Sequence, residues 1–173
     1  MKKLITALSL SVLAASTSFA DDIQSGSYIG ASYAINEADA DGDDLDLSAL
    51  MLNAGYRFNE YFSAEARIGT GTGDDDLYGI DIEIDSMYGV YGKVGIPTGT
   101  AVYPYAILGY TNVKLEASGG GTSESDDDSD LSYGIGADFS VSESFSMFAE
   151  YIVWYDDNDL GLSGFNLGVN LRF

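Results

Sequence analysis

The residues of this chain that could do chemistry are charged side chains set singly into apolar stretches. Arg57, Glu65, Arg67, Glu150 and Arg172 each stand on the polar side of a two-residue alternation. Opposite charges gathered on one face predict an enclosed network that either gates a narrow bore or neutralises and fills it. Glu65 and Glu150 could in principle share acid–base work. With Arg57 and Arg67 on the same face, structural ion pairs are the simpler expectation. The chain has no histidine and no cysteine, so imidazole-activated nucleophiles are impossible and no imidazole can act as a base near neutral pH. No enzymatic activity and no cofactor are expected.

Carboxylates supply a second candidate. Glu37-Ala38-Asp39-Ala40-Asp41-Gly42 spaces its acids two apart before a glycine, as a calcium loop does, but Ser48 stands where the closing bidentate Glu belongs. Asp126, Asp127 and Asp128 could likewise contact a hard divalent cation. An acidic run is more often simply solvated, so no defined metal site is expected.

These residues must be positioned by the elements around them. Met1-Lys2-Lys3, the apolar run Leu4 to Leu13 and the small residues Ser18-Phe19-Ala20 read as a cleavable secretory signal over residues 1–20. The apolar run is too short for a spanning helix. Residues 21–173 then form one domain. Loss of Lys2 and Lys3 takes the net charge from −21 to −23, which excludes nucleic acid as a natural partner. Without cysteine, no disulfide staples the fold.

Alternation defines the strands. Phe165, Leu167, Val169, Leu171 and Phe173 alternate with Asn166, Gly168, Asn170 and Arg172, the period of a strand with one apolar and one polar face. The same period runs through Leu50 to Phe58, Ala64 to Ile68 and Leu131 to Val141. It is less clean in Ile29 to Ile35, Ile80 to Val94, Tyr103 to Val113 and Met147 to Tyr155. Eight strands result. Between Tyr103 and Val113 two apolar series compete, and periodicity leaves open which one faces outward. Short turns at 59–60, 97–100 and 142–144 alternate with longer acidic connections near 36–46, 70–80, 116–130 and 156–161. Of the 28 acidic residues, 21 gather in or beside these four connections.

An apolar face on nearly every strand meets either a packed interior, as in a soluble lipocalin-like barrel, or lipid. Gly and Ser on the opposite face suit the crowded interior of a narrow barrel. Tyr61, Phe62, Phe145, Trp154, Tyr155 and Phe173 near strand ends suit interfacial girdles. Both features favour lipid.

The closing segment, Phe165 to Phe173, resembles the terminal strand of outer-membrane proteins. Gly134-Ile135-Gly136-Ala137-Asp138-Phe139, Phe62-Ser63-Ala64-Glu65 and Tyr103-Pro104-Tyr105-Ala106 resemble the small OmpA/OmpX-type and opacity-type β-barrel family over residues 26–173. The resemblance implies an all-β, eight-stranded antiparallel up-and-down transmembrane barrel in the cell outer membrane, with short periplasmic turns and long acidic extracellular loops. It implies that Phe165, Leu167, Val169, Leu171 and Phe173 are read by the barrel-assembly machinery, and that lipid and lipopolysaccharide surround the wall. Enzymes among these barrels rely on a histidine, which this chain lacks. No peptidoglycan-binding domain is expected after Phe173. The expected role is non-enzymatic, at the cell surface, in envelope integrity or adhesion; the alternative is a narrow, cation-preferring passive channel.

Overall fold

A computed structural model describes the backbone of residues 25–40, 43–77, 80–119, 122–157 and 160–173, and side chains within these except at 38–46, 73–83, 115–128 and 155–160. Eight strands follow in order: β1 (Gly26–Ala40), β2 (Asp43–Arg57), β3 (Phe62–Leu77), β4 (Ile80–Gly95), β5 (Val102–Gly119), β6 (Thr122–Ser140), β7 (Phe145–Asp157) and β8 (Leu160–Arg172). Each pairs antiparallel with the next, and β8 pairs with β1 to close a barrel.

The stagger of that closure sets the dimensions. Stepping across the ladder from Gly26 through Arg57, Ser63, Lys93, Ile107, Gly134, Ile152 and Gly164 returns to β1 at Asn36, ten residues above the start. With about 3.3 Å per residue and 4.8 Å between strands, this shear tilts the strands by roughly 40° and gives a backbone cylinder of about 8 Å radius. Side chains pointing inward from such a wall meet across the axis.

Away from turns and bulges, alternation assigns the described strand side chains to bore or exterior. Ile29, Leu50, Leu52, Ile68, Val90, Leu108, Ile135, Leu167 and Leu171 are exposed, while Asn53, Glu65, Arg67, Lys93, Glu150 and Asn166 are buried. The apolar face therefore points outward, opposite to a lipocalin-like barrel. Exposed aromatics lie at two levels. Tyr56, Phe58, Tyr61 and Phe62 gather at the β2–β3 turn, with Phe173 at the same end of the barrel, and Tyr33, Tyr88, Tyr110, Tyr133, Tyr151 and Phe165 form a ring about seven residues above the short-turn end of their strands. On β8 the eight-residue step from Phe173 to Phe165 is roughly 20 Å of barrel height at that tilt, close to the apolar band of an outer-membrane barrel. Upper-ring hydroxyls bond to the wall: Tyr110 donates to the Ser129 carbonyl at 3.3 Å, and Tyr151 pairs with Ser163 Oγ at 3.1 Å.

The short turns have local causes. Asn59 Oδ1 accepts from the backbone N–H of Tyr61 and Phe62 at 2.8 and 2.9 Å, and Ser142 Oγ accepts from Phe145 N–H at 3.1 Å. Gly99 adopts φ 67°, the left-handed conformation that glycine enters without strain. At the opposite end strand pairing continues through most of the acidic stretches: Asp39 pairs with Asp44, Asp74 with Glu83, and Asp127 with Lys114. The acidic connections are thus mainly extensions of the barrel wall, because consecutive residues there still find ladder partners.

Trp154 departs from the girdle expected of it. It shares a face with Glu150 and Ile152 and is fully buried in the bore, its indole N–H donating to Asn36 Oδ1 at 2.9 Å. Tyr155 has a side chain outside the described residues. On β5 the competition resolves with Tyr103, Tyr105 and Ile107 inward and Ala106, Leu108 and Tyr110 outward.

The outward assignment is testable in urea-dependent folding into phospholipid vesicles. Leu167→Arg, at mid-belt, should cost about 2–4 kcal/mol, whereas Glu37→Arg, exposed above the upper ring, should change stability by about 1 kcal/mol or less.

Candidate functional site: a charge network inside the barrel

Among the described residues the bore is filled in three layers, ordered by distance from the short turns. Nearest the turns, Arg57 Nη2 donates to Asp138 Oδ2 at 3.0 Å, with the guanidinium 4.6 Å from the Tyr103 ring centre. Tyr103 donates its hydroxyl to the Glu60 carbonyl at 2.7 Å, across the mouth. Arg172, half-buried beside them, reaches Ser140 Oγ at 3.5 Å. A cavity of about 10 Å³ lies among Arg57, Ser63, Asp138, Ser146 and Asn170, space for roughly one water molecule.

The middle layer is a quartet of two cations and two anions. Arg67 grips Glu150 with both Nη atoms at 2.7 and 2.8 Å and reaches Glu65 through Nε at 2.5 Å. Lys93 Nζ bridges the same two carboxylates, 3.0 Å from Glu65 and 3.1 Å from Glu150. Tyr105 hydroxyl and Asn166 amide also donate to Glu150, at 2.7 and 3.0 Å, and Asn53 donates to Glu65 at 3.4 Å. Aromatic faces complete the cage: Tyr91 lies 4.9 Å from the Arg67 guanidinium carbon, and Tyr105 lies 4.8 Å from Lys93 Nζ. All four charged side chains are at most 5 % exposed. A charge in such a place is tolerated only when paired and fully hydrogen-bonded; here each carboxylate meets both cations, and the quartet is neutral.

Above it, on the side of the acidic hairpins, the bore turns apolar. Met51, Met87, Ile152, Trp154 and Leu162 belong to one buried cluster, with Leu47, Ile84 and Val113 further up. A chain of hydroxyls crosses its base from Tyr91 to Thr111 at 2.6 Å, then to Ser132 and on to the Trp154 carbonyl at 2.9 Å.

Glycine gives the luminal rings their room. A Cβ on Gly109 would overlap Tyr91 and the Val90 carbonyl, and one on Gly55 would overlap Tyr28. Large rings thus lie flat over bare backbone in a bore too narrow for them to stand upright.

Of the network residues read from sequence, Glu65, Arg67 and Glu150 come together directly. Arg57 and Arg172 do not join them; they form the separate layer at the mouth, with Asp138. Lys93 was absent from the expected network, and it neutralises what would otherwise be an excess carboxylate. Its signal was present, since Tyr88, Val90 and Val94 alternate with Tyr91 and Lys93, but glycines at 89, 92 and 95 blur the period. Alternation put Asn53 and Asn166 on the polar face and left Tyr105 undecided; only register joined the three to the carboxylates. Phe165, Leu167, Leu171 and Phe173 are exposed on the outward face of β8, with Val169 half-buried among them. Of the cation-contact candidates, Asp41 lies outside the described residues, as do the side chains of Asp39, Asp126, Asp127 and Asp128.

Interdependence within the quartet sets an expected double-mutant cycle, read by denaturant unfolding of the vesicle-inserted protein. Arg67→Met, which strands carboxylates, should cost about 3–5 kcal/mol. Adding Glu150→Met leaves the neutral Glu65–Lys93 pair and should recover part of that loss.

Comparison with known proteins agrees with this architecture. No curated protein matches the chain. Among solved structures, Ail, the attachment invasion locus protein of Yersinia pestis, aligns at 25% identity with a TM-score of 0.68, covering 87% of this chain and 100% of that one. Neisserial surface protein A aligns at 17% identity and TM-score 0.65, over 86% and 97% of the two chains. The N-terminal β-barrel domain of Pseudomonas aeruginosa OprF aligns at 15% identity and TM-score 0.65, over 87% and 100%. Residues 5–173 match the family described as the outer membrane protein beta-barrel domain, and with its lipid-facing wall, paired girdles and filled bore the chain belongs to that family.

Proposed function

We propose that this protein is a non-conducting, non-enzymatic barrel of the outer membrane, exported by its residue 1–20 leader, with a surface role in envelope integrity or adhesion. The observation that carries this reading is the filled bore. A neutral quartet locked by bidentate geometry is followed by a buried apolar cluster around Trp154, and an ion would have to displace both. The cation-preferring channel is the weaker reading on the same ground. Acid–base catalysis finds no support, because Glu65 and Glu150 are enclosed and held by Arg67 and Lys93.

Charge narrows the adhesion reading. Ail is described in complex with a heparin analogue, sucrose octasulfate. In this chain Arg57, Arg67, Lys93 and Arg172 line the bore, and Lys114, beyond the upper ring, is engaged with Asp85 at 3.0 Å. Connecting stretches so rich in acidic residues favour repulsion of sulfated glycans and suit cationic or neutral partners. Recognition of Phe165, Leu167, Val169, Leu171 and Phe173 by the assembly machinery, and contact with lipid and lipopolysaccharide, complete the proposal.

Planar-bilayer recording tests it. The wild-type barrel, verified as folded by heat-modifiable electrophoretic migration, should remain silent; discrete cation-selective openings would establish the channel instead. Retention on immobilised heparin should be absent at physiological salt.

A further inference from the structure

The belt between the aromatic rings has a narrow waist. Ala31, Ala54, Ala66, Gly92, Ala106 and Ala149 all face outward near half-height, and register places Ala54 beside Ala66 and Ala64 beside Gly92. Across β8, β1, β2 and β3 the waist deepens into an outward groove of about 550 Å³, floored by Ala31, Ala54 and Ala66 and walled by Ile29, Ile68 and Leu171. The groove interrupts a wall whose surroundings are already fixed, since its flanks are the lipid-facing side chains of the belt. Beneath it, the β2–β3 turn carries Tyr56, Phe58, Tyr61 and Phe62, all exposed, with Tyr56 and Phe58 packed edge-to-face at 5.3 Å between ring centres. Aromatic groups in that position sit at headgroup level.

Resting on the outer-membrane reading above, we propose that this groove is a binding site for one phospholipid of the short-turn leaflet, its glycerol region against the Tyr56–Phe62 aromatics and one acyl chain laid over Ala54 and Ala66. Charge selects the phospholipid over lipid A. Lipid A would bring its phosphates from the opposite side, where the wall runs into strand extensions rich in carboxylates that repel them, whereas the β2–β3 turn presents aromatic rings and a single exposed carboxylate, Glu60. A groove floored by methyl groups accepts an unbranched chain and gains from each methylene buried closely.

The test uses the full barrel in detergent with dioleoyl phosphatidylethanolamine and hexa-acylated lipid A added together, and native mass spectrometry of what remains bound. One phosphatidylethanolamine should be retained. Ala54→Phe/Ala66→Phe should lower that retention about tenfold, the loss expected from displacing roughly two methylene groups, while Ala137→Phe/Ala149→Phe, on the other side of the waist, should not. Equal loss in both variants, preferential retention of lipid A, or a wild-type dimer that the groove variant abolishes would each overturn the assignment. Should the groove variant fail to fold, wild-type barrel in vesicles containing a diazirine-chain phosphatidylethanolamine decides: labelling concentrated on residues 29–31, 52–54 and 64–68 supports the site, and labelling spread evenly round the belt refutes it. Bilayer conductance, which bears on the function proposed above, is independent of every one of these readouts.

Discussion

Closure of the hydrogen-bond ladder is the constraint on which everything else here depends. Within a bilayer no water satisfies a backbone N–H or carbonyl, so the sheet must have no edge. Pairing of β1 with β8 removes the last one. The stagger at which it closes then fixes tilt and radius together, and the radius decides that the interior is a packed volume instead of a passage. Strand length, belt height and the crowding of the bore all follow from that single geometric commitment.

A bore of this width must be filled, and the chain fills it in two ways. Near mid-height it uses charge, where each guanidinium, ammonium and carboxylate compensates the others' lost hydration. Toward the acidic end it uses apolar side chains, which need no partners. The change occurs around Tyr91 and Trp154: both rings lie near the Arg67 guanidinium, and they pack edge-to-face at 6.2 Å between ring centres. The indole and phenol each turn a polar atom to Asn36 or Thr111 and a face to the cation, so the boundary costs no buried unpaired donor on either ring.

The exterior inverts this arrangement. Large side chains occupy the two levels where the membrane is wet, and small ones the level where it is driest. At that level the interior holds its bulkiest charged groups. Among the described residues the basic side chains are drawn inward, except Lys114, which is engaged with Asp85.

By itself the sequence determined the class of the protein. A two-residue period with lipid-compatible groups on one face and Gly, Ser, Asn and charge on the other permits few environments, and the run from Phe165 to Phe173 reads the same way in sequence and in space. It also determined that Glu65, Arg67 and Glu150 would be enclosed, because a charge on the polar face of an outward-apolar strand has nowhere else to point. What only the tertiary structure decided is everything that depends on register. Lys93 joins the quartet and Arg57 leaves it because height in the bore is set by shear, which no single strand encodes. Tyr103 and Tyr105 turn inward because Glu150, Lys93 and Arg57 await them there, resolving an alternation that was ambiguous along β5. Trp154 lies in the bore for the same reason, and the groove exists only because closure brings Ala31, Ala54 and Ala66, from three separate strands, to a common level.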